Sequence, residues 1–391
     1  MKANPEIKLA DRIEELPPYL FARLDKLRDE KAASGVDVIT LAKGDPDLPT
    51  PQAVIDRLYA GAQDPSTHQY CEDGLDTFRE AISGWYARRF GVDVDPGSQL
   101  VPLIGSKEGI AHMPLALINP GDFVLVPDPG YPVYSIGANL VGGQVHFMPL
   151  KAELAWMPDL DAIPAEVLAR AKAIWLCYPN NPTSAVAGPD FYERVVEFGL
   201  QHGLAVCQDA AYSEVTFDGY RAPSILEVPG ADECAIEFHS LSKTYNMTGW
   251  RIGWAAGNAR LVEALYRVKS NMDSGIFAAV QEAAIEAIEL PQSWIDDRNA
   301  IYERRRDQVV EILRNMDLEP EVPKASLYVW TPVPSGYDSS EFAAKAINEV
   351  GVIVTPGLGF GPSGDSHFRI SLTTPDDRLT EGLERLAKLQ L

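Results

Sequence analysis

The chain is poor in cysteine, with only Cys71, Cys177, Cys207 and Cys234 among 391 residues and no CxxC pair. Zinc sites and disulfide frameworks need paired spacings, so neither is indicated. The six histidines show no HExxH spacing, and no metal is expected. Positive charge is also scarce: 34 Lys plus Arg stand against 56 Asp plus Glu, a formal net charge of −22. So acidic a surface repels nucleic-acid phosphates and anionic membranes, and neither is expected as a partner. No run approaches the roughly 18 uncharged apolar residues of a membrane helix. The opening MKANPEIKLADRIEELPPYL has no signal-peptide core. These absences point to a soluble cytoplasmic protein with reduced, buried thiols.

What is present is ordinary in proportion and patterned in order. Hydrophobic residues make up 46% and charged residues 23%, in a chain too long for one ordinary core. Short apolar runs recur: QLVPLIG (Gln99–Gly105), FVLVPDP (Phe123–Pro129), QVHFMPL (Gln144–Leu150), AIWLCYP (Ala173–Pro179), LAVCQDA (Leu204–Ala210) and AIEFHSLS (Ala235–Ser242). Several are almost continuously apolar, as strands covered on both faces of a mostly parallel sheet should be. Helical patterns lie between them, such as KEGIAHMPLALI, with Ile110, Met113 and Leu117 on one face, and DFYERVVEFGLQHG. The alternation predicts an α/β large domain over residues 46–285, with helices flanking the sheet. Beyond it, SWIDDRNAIYERRRDQVVEILRNM reads as a long amphipathic helix. ASLYVWTPV, DSSEFAAKAINEVG, VIVTPG and HFRISLTT then give a smaller α+β domain over 286–391. Residues 1–45 are expected to form an arm on that small domain or on a partner subunit.

Ligands of open α/β sheets sit beyond the carboxyl ends of strands, so the residues just past each run matter most. GSKEG (Gly105–Gly109) turns directly into a helix and offers backbone N–H groups and a hydroxyl to an anion, although Ser106 alone would serve as an N-cap. GYPVY presents the ring of Tyr131, and NNPT places Asn180 and Asn181 at a turn. DAAYSE brings Asp209 and Tyr212; a carboxylate closing a buried strand is costly unless it faces a cation. SLSKTYNMTGWRIG supplies Ser240, Ser242, Lys243 and Arg251. GLGFG (Gly357–Gly361) neither follows a strand nor opens a helix and reads as a flexible loop near the site. No GxxxxGK[ST] loop and no GxSxG elbow occurs.

No single member of this set is specific, but one ligand accounts for all of them: pyridoxal 5′-phosphate. Its phosphate calls for the Gly105–Lys107 turn, Ser240, Ser242 and Arg251; its protonated ring nitrogen calls for Asp209; its aldehyde calls for a lysine. Along nearly its whole length the chain also resembles the fold-type I pyridoxal-phosphate aminotransferases of class I/II. LAKGDPDLPTP, YCEDGLDTFREAI, YPNNPT, DAAYSE, SLSKTYNMTGWRIG and FRIS follow one another in that family's order.

The resemblance implies the family's fold, a large domain with a mostly parallel sheet plus a smaller α+β domain, and its cofactor. It implies that Lys243 joins the cofactor aldehyde and later moves a proton, that Asp209 pairs with the ring nitrogen, and that Asn181 and Tyr212 hold the ring 3-oxygen. Lys243, Asp209 and Tyr212 are thereby the catalytic set. Ser106, Lys107, Ser240, Ser242 and Arg251 fall on phosphate positions and Tyr131 on the ring-stacking position. Tyr70 matches a tyrosine that reaches the neighbouring subunit's phosphate, implying a homodimer with shared active sites. Arg369 matches the group that grips the substrate α-carboxylate, with Gly44 and Asn181 beside it.

Within the family, PPYLFARLD, GSKEGIAH, PDPGYPVY and VKSNMDSGIF most resemble the bacterial LL-diaminopimelate aminotransferases. That resemblance implies conversion of tetrahydrodipicolinate with glutamate as donor, on the route to lysine. It offers Glu72, Asp73 and Asn271 for the distal ammonium and Lys107 for the distal carboxylate. Two positions depart from the pattern: Ala42-Lys43, where relatives carry Gly and a small apolar residue, and Ser184, where Gly is common. Both bear on substrate range. The alternatives are an aspartate, alanine or aromatic aminotransferase, a β-eliminating lyase on the same scaffold, and a cofactor-binding regulator without activity.

Overall fold

The computed structural model describes residues 7–14, 16 and 20–390. Part of the arm expected over 1–45, at 1–6, 15 and 17–19, lies outside them. In chain order the strands are β1 (Ile39–Thr40), β2 (Leu100–Leu103), β3 (Phe123–Asp128), β4 (Gln144–Pro149), β5 (Ala171–Cys177) and β6 (Ala205–Asp209). They continue with β7 (Ala235–Ser240), β8 (Gly253–Gly257), β9 (Tyr328–Pro332), β10 (Val352–Ile353), β11 (Thr355–Pro356) and β12 (His367–Ser371).

All six apolar runs enter one seven-stranded sheet, ordered β2-β8-β7-β6-β5-β3-β4. Their composition follows from burial on both sides. On β5, Trp175 and Cys177 pack into one cluster with Ile110 and Phe238, while Ile174 and Leu176 pack into another with Tyr192 and Val206. Period-two alternation thus puts apolar side chains on both faces. β8 was not anticipated: GWAAG is small and reads as the tail of a glycine-rich turn, yet it pairs antiparallel with both β2 and β7. The remaining pairings are parallel. Chain order reverses between β3 and β5, which opens a crevice at their carboxyl ends.

The flanking helices follow local signals. Pro189 opens the helix Pro189–His202, and Gly203, left-handed at φ 64°, ends it. The long helix Gln292–Asn315 serves both halves of the molecule. Ile295 packs with the large-domain residues Phe78 and Trp254, whereas Tyr302, Val309 and Leu313 pack in the small-domain core. The division expected at residue 285 falls inside the helix Ala278–Ile288, whose Ala283, Ala284 and Ile288 belong to the large-domain core. A change in sequence texture marks where charge begins, not where a core ends.

The second half contains the antiparallel sheet β11-β12-β9 and the parallel pair β1-β10. Ile39 pairs with Val352 and Thr40 with Ile353, and Leu41 is fully buried with Val329, Phe368 and Leu383. The chain just before the large domain is therefore woven into the small one. Leu24 and Leu27 of the helix Leu20–Ala33 pack over Ile347 and Ile353. No helix among the described residues is long and apolar enough to cross a membrane. The cysteines are free; Cys177, Cys207 and Cys234 are buried, but Cys71 is only half-buried, at an isolated bridge to Gly275.

Candidate active site

A cavity of about 620 Å³ opens beyond the carboxyl ends of β3, β5, β6 and β7, and β9, β12 and the stretch after β1 close its far side. Its floor comes from the sheet. Asp209 is the last residue of β6 and is 5% exposed. One carboxylate oxygen accepts from Tyr134 Oη at 2.7 Å and the other from the Ala211 amide at 3.3 Å. Burial pushes its pKa up to about 6, against the pull of those two bonds. Among the described residues no side chain forms an ion pair with this carboxylate, and Lys243 and His239 act on it only from a distance. Tyr134, held flat against Trp175 with centroids 5.0 Å apart, was not foreseen as its partner.

Lys243 sits in the short helix Leu241–Thr244, directly after β7. Its Nζ donates to the Gly44 carbonyl at 2.7 Å and lies 3.7 Å from Asp45. Burial, only partly offset by Asp45, lowers its pKa to about 8. Arg298, from the long helix, donates to the carbonyls of Lys243 and Thr244 at 2.6 and 2.8 Å. That clamp fixes the backbone from which Lys243 reaches. It was invisible in sequence, since Arg298 lies 55 residues downstream.

At one end of the cavity Arg251, held in a left-handed conformation at φ 57°, turns its guanidinium toward neutral oxygens. It meets the Thr248 carbonyl at 3.0 Å, the Ile104 carbonyl at 3.4 Å and Ser242 Oγ at 3.5 Å. Among the described residues no carboxylate pairs with it. Gly105 lies so close that a Cβ there would stand 2.3 Å from the guanidinium. Gly105 is the residue that caps the helix Ser106–Leu117, so Ser106 is not the N-cap; it is the first helical residue, and its side chain lines the cavity beside Lys107. Ser240 Oγ accepts from the Ser242 amide at 3.3 Å, and both serines are buried. Tyr131 lines the wall, edge-on to Tyr134.

The opposite side is built by contacts between distant segments. Arg369, on β12 and 1% exposed, donates to Asn181 Oδ1 and to the Ala42 carbonyl, each at 2.7 Å. Its guanidinium lies 3.8 Å from the centre of the Tyr328 ring and 4.7 Å from that of Phe360. Tyr212 and Tyr328 share a hydrogen bond of 2.7 Å, and burial keeps both hydroxyls protonated. A Cβ on Gly44 would stand 2.0 Å from Tyr328 Oη, so this position admits no side chain. Gly357–Phe360, expected as a flexible loop, is a packed 3₁₀ turn: Gly357 and Phe360 are buried, and Gly130 donates to the Phe360 carbonyl at 2.8 Å. Ser184 stands at φ 60°, where glycine is easiest, and its hydroxyl donates to the Tyr328 carbonyl at 2.8 Å.

Twelve of the expected residues thus meet in one cavity, and four do not. Tyr70 is 85% exposed, and Glu72, Asp73 and Asn271 lie on the same outer surface. Asp73 accepts from Tyr266 Oη, one turn before Asn271, whose amide donates to the Arg267 carbonyl at 2.8 Å. The Cys71–Gly275 bridge ties these two segments together.

The donor set fits pyridoxal 5′-phosphate. A buried carboxylate without a cation suits a protonated ring nitrogen. A planar guanidinium among neutral oxygens, beside two serines and a helix start, suits a phosphate. A lysine of lowered pKa between them suits an aldehyde.

Fold and site together define an aminotransferase: residues 36–386 match the aminotransferase class I and II family, and the chain belongs to it. The family implies pyridoxal phosphate. Particular relatives narrow the similarity. The LL-diaminopimelate aminotransferase of Desulforudis audaxviator is 55% identical over 378 residues, covering 96% of each chain. That of Dehalococcoides mccartyi strain 195 is 53% identical, covering 98% of this chain and 99% of its own. Among solved structures, substrate-bound BacF from Bacillus subtilis superposes with a TM-score of 0.95 at 32% identity, covering 98% of both chains.

Proposed function

We propose that this protein is a pyridoxal-phosphate-dependent LL-diaminopimelate aminotransferase that uses glutamate as amino donor. The observation that carries the cofactor is the buried Asp209 carboxylate, without an ion-pair partner among the described residues, in the same cavity as Lys243 and Arg251. Likeness over nearly the whole chain to curated enzymes of that activity supports the substrate. When bound, the cofactor supplies an aldehyde that takes up the amino group and a ring that accepts the electrons released at Cα.

The chain's own residues do the rest. Asp209 stays ionised against the protonated ring nitrogen, whose positive charge offsets the burial that raises its pKa. Arg251, Ser106, Ser240 and Ser242 anchor the phosphate, with Lys107 at the helix start; Tyr131 covers the ring, and Asn181 and Tyr212 orient it. Lys243, its pKa lowered by burial to about 8, takes the proton from Cα and returns it on the other side of the exchange. Arg369 binds the α-carboxylate through its planar fork, and Gly44 leaves room for it. Tyr70, Glu72, Asp73 and Asn271 act in a homodimer, where their outer surface completes the partner's cavity: Tyr70 at the phosphate, the others at the distal ammonium. Lys107 also lies within reach of the distal carboxylate. The setting is cytoplasmic lysine biosynthesis.

The test is a half-reaction. Holoenzyme is mixed in turn with LL-diaminopimelate, its meso isomer, glutamate, aspartate, alanine and phenylalanine, and the visible absorbance of the cofactor is followed. Conversion by LL-diaminopimelate and glutamate, but not the meso isomer, is the expected result. Conversion only by aspartate, alanine or phenylalanine would overturn the substrate, and no conversion at all would overturn the activity.

A further inference from the structure

The cavity holds more charge than cofactor and α-carboxylate use. Arg251, Asp209, Lys243, Arg369 and Lys107 are assigned above, and Asp45 faces Lys243. Two groups at the mouth remain: Lys43, and Asp25 of the helix Leu20–Ala33. They form an ion pair of 2.8 Å, with side chains 39% and 35% exposed. Both line the cavity. Asp25 is steadied from its own helix by Arg28 at 3.0 Å. The Lys43 carbonyl accepts from Thr373 Oγ1 at 2.8 Å, so its backbone is fixed while its side chain points to the opening. The neighbours of Lys43 serve the centre directly: the Ala42 carbonyl receives Arg369 and the Gly44 carbonyl receives Lys243.

We infer that Lys43 and Asp25 add a second contact to the distal end of the substrate beside the groups proposed above, Lys43 sharing the carboxylate with Lys107 and Asp25 sharing the ammonium with Glu72, Asp73 and Asn271. The inference rests on the amino-acid substrate proposed above. An ion pair this exposed contributes little by itself, so exchanging it for substrate charges costs little. The exchange is matched in sign only when the distal end carries both charges, as an amino-acid head does. A distal carboxylate alone satisfies Lys43 and leaves Asp25 competing for it. The mouth therefore ranks substrates: a zwitterionic end first, an anionic end second.

The experiment measures kcat/KM of holoenzyme variants for LL-diaminopimelate, for 2-aminopimelate (the same chain without the distal amino group) and for glutamate. Lys43→Met should lower all three by about tenfold or more, the scale of a lost charge-assisted hydrogen bond. Asp25→Asn should split them, lowering LL-diaminopimelate about tenfold while raising 2-aminopimelate and glutamate severalfold, because Lys43 is released. The double variant Lys43→Asp, Asp25→Lys keeps an ion pair with its polarity reversed. It should remain impaired on LL-diaminopimelate; restored turnover would mean the pair only ties down the helix and would overturn the inference. Equal losses on all three substrates in Asp25→Asn, or no change in either single variant, would also overturn it. A wild-type enzyme inactive on LL-diaminopimelate would overturn the substrate reading and this inference with it. Wild-type activity with indifferent variants would overturn this inference alone.

Discussion

The floor and the far wall of the cavity are made in different ways. On the floor, Asp209 closes β6, and Ser240 and Lys243 stand at and just after the end of β7. Local backbone sets their positions, and the parallel sheet carries them. The wall joins Tyr328 on β9 and Arg369 on β12, carried by the small antiparallel sheet, to residues from the large domain and from the stretch after β1. Arg369 meets Asn181 across 188 residues and Ala42 across 327, Tyr328 meets Tyr212 across 116, and Gly44 meets Lys243 across 199. A cofactor needs the same rigid fit in every turnover, whereas a substrate must enter and leave. A wall assembled from distant segments can adjust without disturbing the floor.

That contrast can be broken experimentally. The largest effect is expected from Lys243→Ala, with transamination falling by at least about 1,000-fold whatever the amino acid. Stopped-flow absorbance of the reconstituted variant checks it, and normal turnover would remove Lys243 from its role. Asp209→Asn should lower kcat on the order of 100-fold for all amino acids alike, as expected when a fixed charge facing the reacting system is lost. Arg369→Ala should cost about 100-fold in kcat/KM, carried mainly by KM. If Asp209→Asn raised only KM, or Arg369→Ala lowered only kcat, floor and wall would not divide the work as described. Tyr328→Phe should cost only a few-fold, since it deletes one hydroxyl from Tyr212 and keeps the ring under Arg369; steady-state kinetics at matched pH would show it.

The smallest effect concerns stability of the cofactor-free protein. The folded pKa of Lys243, about 8, lies below the ordinary 10.5. Between those values the unfolded chain binds more protons than the folded one, so stability rises with pH across that window. Lys243→Met lacks the buried ammonium, and its advantage over the wild type in urea unfolding should shrink from pH 8 towards 10.5. A constant difference would mean that the ammonium is not desolvated.

Legibility in sequence follows the same division. The six sheet strands were readable because burial on both faces makes them almost continuously apolar. Asp209, Lys243 and Arg251 were readable because they break such runs with charge. Tyr134, Tyr328, Arg298 and Asp25 left no signal: a tyrosine in an apolar stretch, or an arginine in a charged helix, looks the same whether or not its tip reaches an active site. β8 was missed because small residues suit a turn as well as a strand between close neighbours. The GLGFG turn misled because glycine marks freedom in isolation, yet here it marks crowding. A Cβ at Gly357 would stand 2.0 Å from the Gly364 carbonyl oxygen.

The pairing of β1 with β10 bears on how the protein is made. Ile39 and Thr40 are translated long before their partners Val352 and Ile353, and Ala42 precedes its partner Arg369 by 327 residues. Every strand of the seven-stranded sheet is complete by Gly257, whereas the helix Ala278–Ile288 and the start of the helix Gln292–Asn315, which pack in the same core, are made later. The residue proposed to grip the α-carboxylate, Arg369, comes later still. A chain made only as far as Gly257 would carry Lys243 and the proposed phosphate cradle, yet it would lack Arg369, the residue proposed to hold the amino acid.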